Sequence, residues 1–570
     1  MSSPMLAADA GVSALAPPAP EVCAIVVVPA RNEEQRISAC MQALAGQRYL
    51  PMSEFEVIVV LDGCRDRTID RVREVAANHP GFAVHTIECA EPVGVGSARR
   101  IGMDCAHQRL MSLGRPAGLI ASTDADSVVA GDWLAVQLEL VHRGARAIGG
   151  EIRLDSSEAG ALPAAVLAER SRRARERMLA VTETGALVGP ALADHHHFSG
   201  ASLALTAQTY AECGGLPARA SLEDEALERE LNQLRIPIQR SSAVRVSTSA
   251  RTHGRAQRGL ARDLALATWR ARRSYAAAEF PLSRLLDAKH ATVALVLPAR
   301  EVATTIGPIA TRAAMLRDVG LLDEVVVVDA ASTDGTAAVA AAAGLVVLQE
   351  DELSPELGPA RGKGDAMWRA VRELDSEIIA FADTDSDDFG GSFLTGLLGP
   401  MICDDDIALV KGFFQRPFRA HDTLLAHGGG RVTELLARPL LNLHAPDLAV
   451  FDQPLAGEVA ARRALLEQIP FAAGYGVEIA MLIDAWRLVG LDRLAQVDLG
   501  IRQNRHQPLR DLSAMAYEVL VAAESRFSGP EFVATQASAS ITLPPLRGGA
   551  DGETRRVTLE ERPALGTRRG

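Results

Sequence analysis

The sequence predicts an α/β protein made of two similar halves, each with a mostly parallel central sheet covered by helices. The runs at 57–60 and 325–328 are apolar at every position, as strands covered on both faces should be. Such runs alternate with helical patterns, which favours parallel α/β layers. The stretch "AIVVVPARNEE" (24–34) is also matched by "VALVLPAREVA" (293–303). These observations predict the fold class and an internal duplication.

The duplication extends through three motifs. "EVIVVLDGCRDRT" (56–68) parallels "EVVVVDAASTDGT" (324–336), and matching residues lie roughly 260–270 positions apart. The matched pairs are Pro29 with Pro298, Asp62 with Asp329, and Asp124 with Asp383. We therefore expect one domain over 22–270, a linker over 271–290 and a second domain over 291–530. Residues 1–21 are expected to be a disordered leader, and 531–570 a mostly disordered tail.

Composition narrows the class of function. The chain has 570 residues and a formal net charge of −13, which argues against a general nucleic-acid binder. Its seven cysteines show no CxxC or other zinc spacing, as is typical of a reduced cytosolic protein. We see neither a signal-peptide pattern at the start nor an apolar run of the roughly 18 residues that span a bilayer. The expected location is the cytoplasm.

Two carboxylate pairs follow apolar strands. Asp124 and Asp126 come after "GLIA", and Asp383 and Asp385 come after "EIIAF". Ligands of such sheets bind at the carboxyl ends of strands, and one or two carboxylates can hold Mg²⁺ or Mn²⁺ against a diphosphate. The metal then neutralises charge on a departing diphosphate. A single pair is more often a solvated turn or helix cap, but its recurrence in matching contexts favours the metal.

The first half resembles family 2 glycosyltransferases, which have the Rossmann-like GT-A fold of nucleotide-diphospho-sugar transferases. The matching motifs are "VVPARNEE" (27–34), "VVLDGCRDRT" (59–68), "TDAD" (123–126), "GASLAL" (200–205) and "LEDEAL" (222–227). The resemblance implies that Pro29, Asp62 and Asp124 bind the donor, with Asp62 reading the base. It implies that Asp126 binds the metal and that Asp224 is the general base of an inverting transfer. Leu61 departs from the pattern, which carries another Asp there.

The second half resembles the glucosyl-3-phosphoglycerate synthases over most of its length. The motifs include "VDAASTDGT" (328–336), "GKGDAMWR" (362–369), "DTDSD" (383–387), "LVKGFFQRP" (409–417), "GGGRVTELLARPLL" (428–441), "QPLAGE" (453–458) and "PFAAGYGVEIAMLID" (470–484). The resemblance implies transfer of glucose from a nucleoside diphosphate, UDP-glucose in the first instance, to the 2-hydroxyl of 3-phosphoglycerate, with retention. It also implies a homodimer.

The same resemblance assigns roles to single residues. Glu478 would lie at the transferred sugar, and Asp385 and Asn504 at the metal. A glycine-rich turn with an arginine and a hydroxyl suits a phosphate, because backbone N–H groups can approach it and the guanidinium is forked. The donor set is Pro298, Asp329, Ser332, Lys363 and Asp383, and the acceptor set is Gly430, Arg431, Val432, Thr433 and His506.

The second half departs from its family at two places. Glu301 and Val302 stand where Asn and Glu are usual. Asn504 stands at the family's metal-binding His, and His506 at an acceptor-binding Asn. Either His506 reaches the cation through a small loop shift, or Asp385 and the diphosphate hold the metal with Asn504 as a weaker ligand.

Two other functions stay open at this point. A sugar-nucleotide pyrophosphorylase shares strand-ended carboxylates, and it would release diphosphate from a nucleoside triphosphate. Alternatively, one half is a non-catalytic scaffold for the other, and the departures at Leu61 and Asn504 keep this alternative open. The triplet at 195–197, three adjacent histidines, suits an acceptor loop or a surface better than a metal site, because adjacent side chains cannot all point one way.

Overall fold

The computed structural model describes residues 15–188, 193–217, 219, 222–254, 259–386, 392–416, 418–420, 423–425, 430–502, 508–544 and 552–568. The chain divides into two compact units, Met1–Ala271 and Arg272–Gly570, called unit 1 and unit 2 below. Asn504 and His506 lie outside the described residues.

Unit 1 is built on an eight-stranded mixed sheet in the order β3-β2-β1-β4-β7-β6-β8-β5. The pairings among β1, β2, β3 and β4 and between β6 and β8 are parallel, whereas β7 and β5 run antiparallel to their neighbours. The strands are β1 (Ala24–Ala30), β2 (Phe55–Asp62), β3 (Ala83–Cys89), β4 (Leu119–Ser122), β5 (Ser127–Val129), β6 (Ala147–Leu154), β7 (Leu203–Thr206) and β8 (Ile238–Thr248).

Helices cover both faces of this sheet. Alternate residues of β1 enter different apolar cores, Val26 and Val28 on one face and Ile25 and Val27 on the other. This two-sided burial is why the strand is apolar at every position. The helices are Ile37–Ala45, Thr68–Asn78, Val95–Ser112, Trp133–His142, Ser156–Ala159, Ala164–Val188, Ala207–Glu212, Glu223–Gln233 and Leu260–Arg273, and Met52–Glu54 is a 3₁₀ turn.

Unit 2 has a second eight-stranded sheet, in the order β12-β11-β10-β13-β17-β14-β19-β9. Only β17 runs antiparallel to its neighbours. The strands are β9 (Ser274–Ala276), β10 (Val293–Ala299), β11 (Glu324–Asp329), β12 (Val346–Gln349), β13 (Ile378–Phe381), β14 (Leu409–Gln415), β17 (Val459–Arg462) and β19 (Leu494–Ile501). Three two-stranded pairs add β15 (Phe418–Ala420) with β16 (Thr423–Leu425), β18 (Phe471–Ala472) with β22 (Glu561–Arg562), and β20 (Ser540–Leu543) with β21 (Glu553–Arg556).

The helices of unit 2 follow the same alternation with its strands. They are Leu282–Ala288, Ala303–Asp318, Thr336–Ala342, Lys363–Glu373, Phe393–Cys403, Arg438–His444, Arg463–Leu466, Val477–Val489, Leu512–Phe527 and Pro530–Gln536. A π-helical turn, Thr433–Ala437, precedes Arg438–His444. Short 3₁₀ turns lie at Ala277–Glu279, Pro355–Leu357, Leu448–Val450, Leu491–Arg493 and Leu565–Arg568.

The two sheets share a detailed feature besides their strand order. The loop after the central strand turns through a left-handed residue in both units, Asn32 with φ +52° and Glu301 with φ +54°. A threonine hydroxyl then closes each loop: Thr68 accepts from the Glu33 N–H at 2.7 Å, and Thr336 accepts from the Val302 N–H at 2.9 Å. The two units therefore share this loop geometry as well as a strand order, and both sheets place their carboxylate pairs at matching strand ends. The tandem arrangement of two GT-A domains stays a prediction.

The segment 271–290 differs from the expected linker. It supplies the edge strand β9 and the helix Leu282–Ala288, and it contributes Phe280 to the core of unit 2. Gly399 makes this possible, since a Cβ there would lie 2.1 Å from the Phe280 ring. The pattern was ambiguous because the segment is short and rich in alanine and arginine.

The segment 531–570 differs from the expected mostly disordered tail. It forms β20, β21 and β22, and Arg562 is buried against Asp365 of helix Lys363–Glu373. The local composition is polar, so its partners elsewhere in the chain were not visible in sequence. Among the described residues, no helix combines the length and apolar character needed for a bilayer span.

Candidate active site

The centre of unit 2 is an ion-paired lysine at a helix start. Helix Lys363–Glu373 begins after Gly362, whose φ of +136° suits glycine. Lys363 Nζ donates to Asp383 Oδ1 at 2.6 Å and to Glu478 Oε1 at 2.7 Å. Asp383 follows the end of β13, and Glu478 lies in the first turn of helix Val477–Val489. Three residues predicted from separate motifs thus meet at one point.

Two glycines allow this close approach. A Cβ on Gly457 would lie 2.3 Å from Asp383 Oδ2, and one on Gly364 would lie 1.8 Å from the carbonyl oxygen of Ala472. A side chain at Gly457 would displace the Asp383 carboxylate, and one at Gly364 would push the backbone at Ala472 away. The glycines of "GKGD" and "LAGE" therefore position the centre through space rather than through hydrogen bonds.

Charge in this centre is unevenly compensated. Burial acts to lower the pKa of Lys363, but Asp383 and then Glu478 outweigh it and raise the pKa, so the ammonium stays charged. Desolvation and the neighbouring Asp383 raise the pKa of Asp385. Within the described parts of the chain, the Asp385 side chain has no ion pair. A carboxylate with uncompensated negative charge is suited to a divalent cation.

Asp329 lies at the end of β11 and is almost fully buried. Its Oδ2 accepts from the Ser332 N–H at 3.2 Å and from Gln349 Nε2 at 3.0 Å. Its Oδ1 has no hydrogen-bond partner among the described residues. A buried acceptor without a donor is costly unless a ligand supplies one, so this oxygen is available to a ligand, and the donor-binding role of Asp329 stays a prediction. Pro298 lies on the neighbouring strand β10, and the carbonyl oxygen of Pro298 accepts from Thr384 Oγ1 at 2.7 Å.

The predicted acceptor turn lies at the start of a helical segment. Gly430 has φ +73°, and its carbonyl oxygen accepts from the Glu434 N–H at 3.0 Å. Arg431 and Val432 are half-buried, while Thr433 is buried and begins the π-helical turn. The remaining predicted ligands, Asn504 and His506, fall outside the described residues.

Two buried cations near this centre escaped the sequence analysis. Arg502 forms a buried ion pair with Glu458, and its Nη2 donates to the Asp383 carbonyl oxygen at 3.0 Å. Lys411 on β14 donates to the Ala456 carbonyl oxygen, and burial lowers its pKa to about 8. A lysine inside the apolar run "IALVKGFF" was the available signal for the second of these.

The centre of unit 1 is an arginine. Arg99 is 2% exposed, and its Nη2 donates to Asp124 Oδ1 at 2.7 Å while its Nε donates to Glu223 Oε1 at 2.9 Å. Its Nη1 donates to Ser122 Oγ at 2.5 Å and to the Gly200 carbonyl oxygen at 3.0 Å. The guanidinium is therefore held by four different residues.

Sequence analysis missed Arg99, although an arginine on the same helical face as Gly102, Met103 and Ala106 signals a buried ion pair.

The second carboxylate of unit 1 is also paired. Asp126 Oδ2 lies 2.8 Å from Arg251 Nη2, and Arg251 also binds Glu33 with both terminal nitrogens. Burial, followed by the charge of Asp124, raises the pKa of Asp126 to about 6. The residue predicted to hold a metal thus already has a cationic partner, and its metal role stays a prediction.

The other predicted residues of unit 1 lie around this centre. Asp224 is half-buried on helix Glu223–Gln233, and its Oδ2 accepts from the Gly200 N–H at 3.2 Å. Asp62 ends β2 and accepts from the Val93 and Gly94 N–H groups at 2.6 and 3.2 Å. Pro29 is buried on β1. Asp62 is thus engaged by backbone on both oxygens, unlike Asp329.

The three histidine rings lie close together and are tilted against one another. The His196 and His197 ring centroids are 4.1 Å apart, and burial is the first cause that lowers the pKa of His196 to about 4 and of His197 to about 3. Across the described ranges, no group of three or more His, Cys, Asp and Glu side chains is arranged to hold a metal ion.

Comparison with known proteins connects this geometry to a family. Residues 25–191 match the model of glycosyl transferase family 2. The glucosyl-3-phosphoglycerate synthase of Mycolicibacterium smegmatis is 45% identical over 235 residues, which cover 41% of this chain and 77% of that protein. The chain belongs to the glucosyl-3-phosphoglycerate synthase family. The prediction of an NDP-sugar-dependent glycosyltransferase is therefore confirmed.

Two further relatives have solved structures. The glucosyl-3-phosphoglycerate synthase of Mycobacterium tuberculosis is 43% identical over 243 residues, covering 42% of this chain and 75% of the relative. Its crystal structure in complex with Mn²⁺, UDP-glucose and phosphoglyceric acid matches at a TM-score of 0.45, with 39% identity, over 51% of this chain and 95% of that one. Mannosyl-3-phosphoglycerate synthase of Rubrobacter xylanophilus matches at a TM-score of 0.48, with 41% identity, over 53% and 97%.

Proposed function

We propose that unit 2 transfers glucose from UDP-glucose to 3-phosphoglycerate with retention of anomeric configuration. The observation that carries the proposal is the convergence of Lys363, Asp383 and Glu478 in a member of this synthase family. The motifs that resemble the synthases all lie in this unit. The resulting product is glucosyl-3-phosphoglycerate.

The residues divide the work by charge. Lys363 is positioned at a helix start, where its ammonium can neutralise charge on a donor phosphate. Asp329 accepts an N–H from the base, and Ser332 flanks it. Glu478 faces the transferred sugar, where a carboxylate stabilises the positive charge that develops as the glycosidic bond breaks.

Asp385 and the diphosphate are proposed to hold Mg²⁺ or Mn²⁺, with Asn504 as a further ligand. The M. tuberculosis relative was crystallised with Mn²⁺, and Asp385 has no competing ion pair among the described residues. When bound, the cation neutralises charge on the departing UDP. Metal binding can be measured directly by titrating Mn²⁺ into wild type and Asp385→Ala and following its paramagnetic signal.

The acceptor is assigned to the turn Gly430–Thr433 and His506. A phosphate of charge near −2 favours the bidentate hydrogen bonds of arginine over the point charge of lysine. Arg431→Lys should therefore raise the KM for 3-phosphoglycerate, and Arg431→Ala should cost about 2–3 kcal/mol in kcat/KM, the value of a hydrogen bond to a charged group. Glyceric acid, which lacks the phosphate, should be a poor acceptor for wild type, and the Arg431 variants should lower its kcat/KM far less. An equal loss with both acceptors would remove Arg431 from the phosphate site.

The decisive experiment is a screen of nucleotide sugars against phosphorylated and plain hydroxy acids, with product mass as readout. A mass equal to glucose added to phosphoglycerate supports the proposal, and the same screen compares glucose with mannose donors. Release of diphosphate from a nucleoside triphosphate and a sugar phosphate would instead identify a pyrophosphorylase. Light scattering on the same sample tests the proposed homodimer.

We propose that unit 1 is a second sugar transferase, supported by its match to glycosyl transferase family 2 and its shared strand order. Asp224 is its candidate base, because it lies beside Gly200, next to the Arg99 centre. Within the described residues, Asp224 forms no ion pair with an arginine. Asp224→Asn keeps the shape of the side chain and removes proton acceptance. It should abolish a unit 1 product while leaving glucosyl-3-phosphoglycerate formation intact. Loss of both products together would show that the sites are not independent.

A further inference from the structure

The polar C-terminal segment contacts both of the chain segments that carry Lys363 and Glu478. We define the C-terminal clasp as residues 557–563, which follow the last motif of the family resemblance by more than 50 positions. The clasp contains β22, which pairs antiparallel with β18. Nothing in the composition of this segment, "VTLEERP", marks it as part of a site.

On one side, the clasp binds the helix that carries Lys363. Arg562 Nε and Nη2 each lie 2.7 Å from an oxygen of Asp365, which is fully buried and sits two residues after Lys363. The Pro563 carbonyl oxygen accepts from Trp368 Nε1 at 2.9 Å. The first two turns of this helix are therefore attached to the clasp by a forked ion pair and a hydrogen bond.

On the other side, the clasp binds the segment that leads to Glu478. The Ala473 N–H donates to the Glu560 carbonyl oxygen at 2.9 Å. Glu518 bridges the two strands of chain, since its Oε2 accepts from the Tyr475 N–H at 2.7 Å and its Oε1 from the Thr558 N–H at 2.9 Å. A Cβ on Gly474 would lie 2.2 Å from Glu518 Oε2, so this bridge requires the glycine.

The two attached segments are those that must be in register for Lys363 to meet Glu478. The Gly364 and Asp365 N–H groups also donate to the Ala473 carbonyl oxygen, at 2.8 and 3.1 Å. We propose that the C-terminal clasp sets the spacing between Lys363 and Glu478, with Arg562 as a positioning residue for sugar transfer. This inference rests on the proposed function of unit 2.

Arg562 does not touch the reacting groups, so its effect must pass through Asp365. A misplacement of about 1 Å remote from the chemistry can cost on the order of 10²-fold in rate. Arg562→Gln should lower kcat by on the order of 10–100-fold, with the KM for 3-phosphoglycerate unchanged. Arg562→Lys should recover part of this loss, because a lysine can still pair with the buried Asp365 but cannot bind both oxygens in parallel.

The matched control is Arg555→Gln in the same C-terminal segment. Arg555 pairs with Glu553 and Asp511 at 2.6 and 2.9 Å and, within the described residues, forms no hydrogen bond or ion pair with the side chains that hold the clasp. It should leave kcat unchanged. Melting temperatures of both variants separate a loss of positioning from a loss of folded protein.

A double-mutant cycle with Lys363→Met gives the sharper test. If Arg562 acts through Lys363, adding Arg562→Gln to Lys363→Met should cause little further loss. The inference would be overturned if the fold-losses of the two single variants multiplied in the double mutant, or if Arg562→Gln kept the wild-type kcat. If the wild type forms no glucosyl-3-phosphoglycerate, the proposed function fails separately. The clasp is then decided by amide exchange, which should accelerate over 471–478 in Arg562→Gln and stay unchanged in Arg555→Gln.

Discussion

Units 1 and 2 build different charge centres on the same sheet. Both have the same strand order through seven strands and the same left-handed turn after the central strand. In each, a cation joins the first carboxylate of the strand-end pair to a glutamate at a later helix start. The cation is Arg99 in unit 1 and Lys363 in unit 2, and they sit at different positions in their helices.

The two centres differ in how much of their charge is left unpaired and accessible to a ligand. The Arg99 side chain is 2% exposed, and its partner network uses all its nitrogens, whereas the Lys363 side chain is 21% exposed with two carboxylate partners. Asp126 is paired with Arg251, while Asp385 has no ion pair among the described residues. Charge is thus largely satisfied inside unit 1 and left open in unit 2. We infer that Arg99 mainly stabilises its unit and that Lys363 mainly serves a ligand.

The largest expected effect is on stability. Arg99→Met leaves Asp124 and Glu223 without their cation, and removing one partner of a buried pair costs about 3–5 kcal/mol. Amide exchange resolved by segment should show that β4 and the helix at Glu223 are destabilised by this amount. Arg100→Met is the control, because Arg100 pairs with Asp104 at the surface of the same helix. Equal destabilisation of unit 2 by Lys363→Met would break the contrast.

The second effect is on rate. Asp385→Ala should lower glucosyl-3-phosphoglycerate formation by on the order of 10²–10³, the loss typical of one preorganised electrostatic group. Asp126→Ala, the matched change in unit 1, should leave that rate unchanged. Initial rates at saturating Mg²⁺ compare the two. An unaffected Asp385→Ala would remove the metal assignment, and a slow Asp126→Ala would place this reaction in the wrong unit.

The smallest effect is a pH dependence. The pKa of Asp126 is raised to about 6, above its ordinary value near 3.8, so the folded state retains a proton that the unfolded state loses between these values. This group is neutral to stability below the lower value and destabilises unit 1 increasingly as the pH rises toward 6. Asp126→Asn should therefore gain local stability relative to wild type at pH 7 but not at pH 4. Exchange rates of β4 at both pH values measure this, and a constant difference would contradict the raised pKa.

Sequence alone was sufficient for features that are local or repeated. The apolar strands, the duplicated motifs and the positions of Asp124 and Asp383 follow from short patterns, and Lys363 with Glu478 from motif resemblance. The ion pairs joining Arg99 to Glu223 or Arg562 to Asp365 could not be predicted, because they connect residues more than 120 positions apart. Nor does a pattern reveal that Asp126 has an arginine partner, since Arg251 reaches it from the end of a distant strand.

The edge strand β9 has a consequence for dividing the protein. The equivalent strands β8 and β19 are each bordered by an edge strand. In unit 1 this edge strand is β5, which lies between β4 and β6 in the sequence. In unit 2 it is β9, which comes before β10 in the sequence. A fragment that begins at Ala291 would leave the N–H and C=O groups of β19 exposed along an open edge, which invites pairing with other chains and aggregation. A fragment that begins at Arg272 keeps that edge covered.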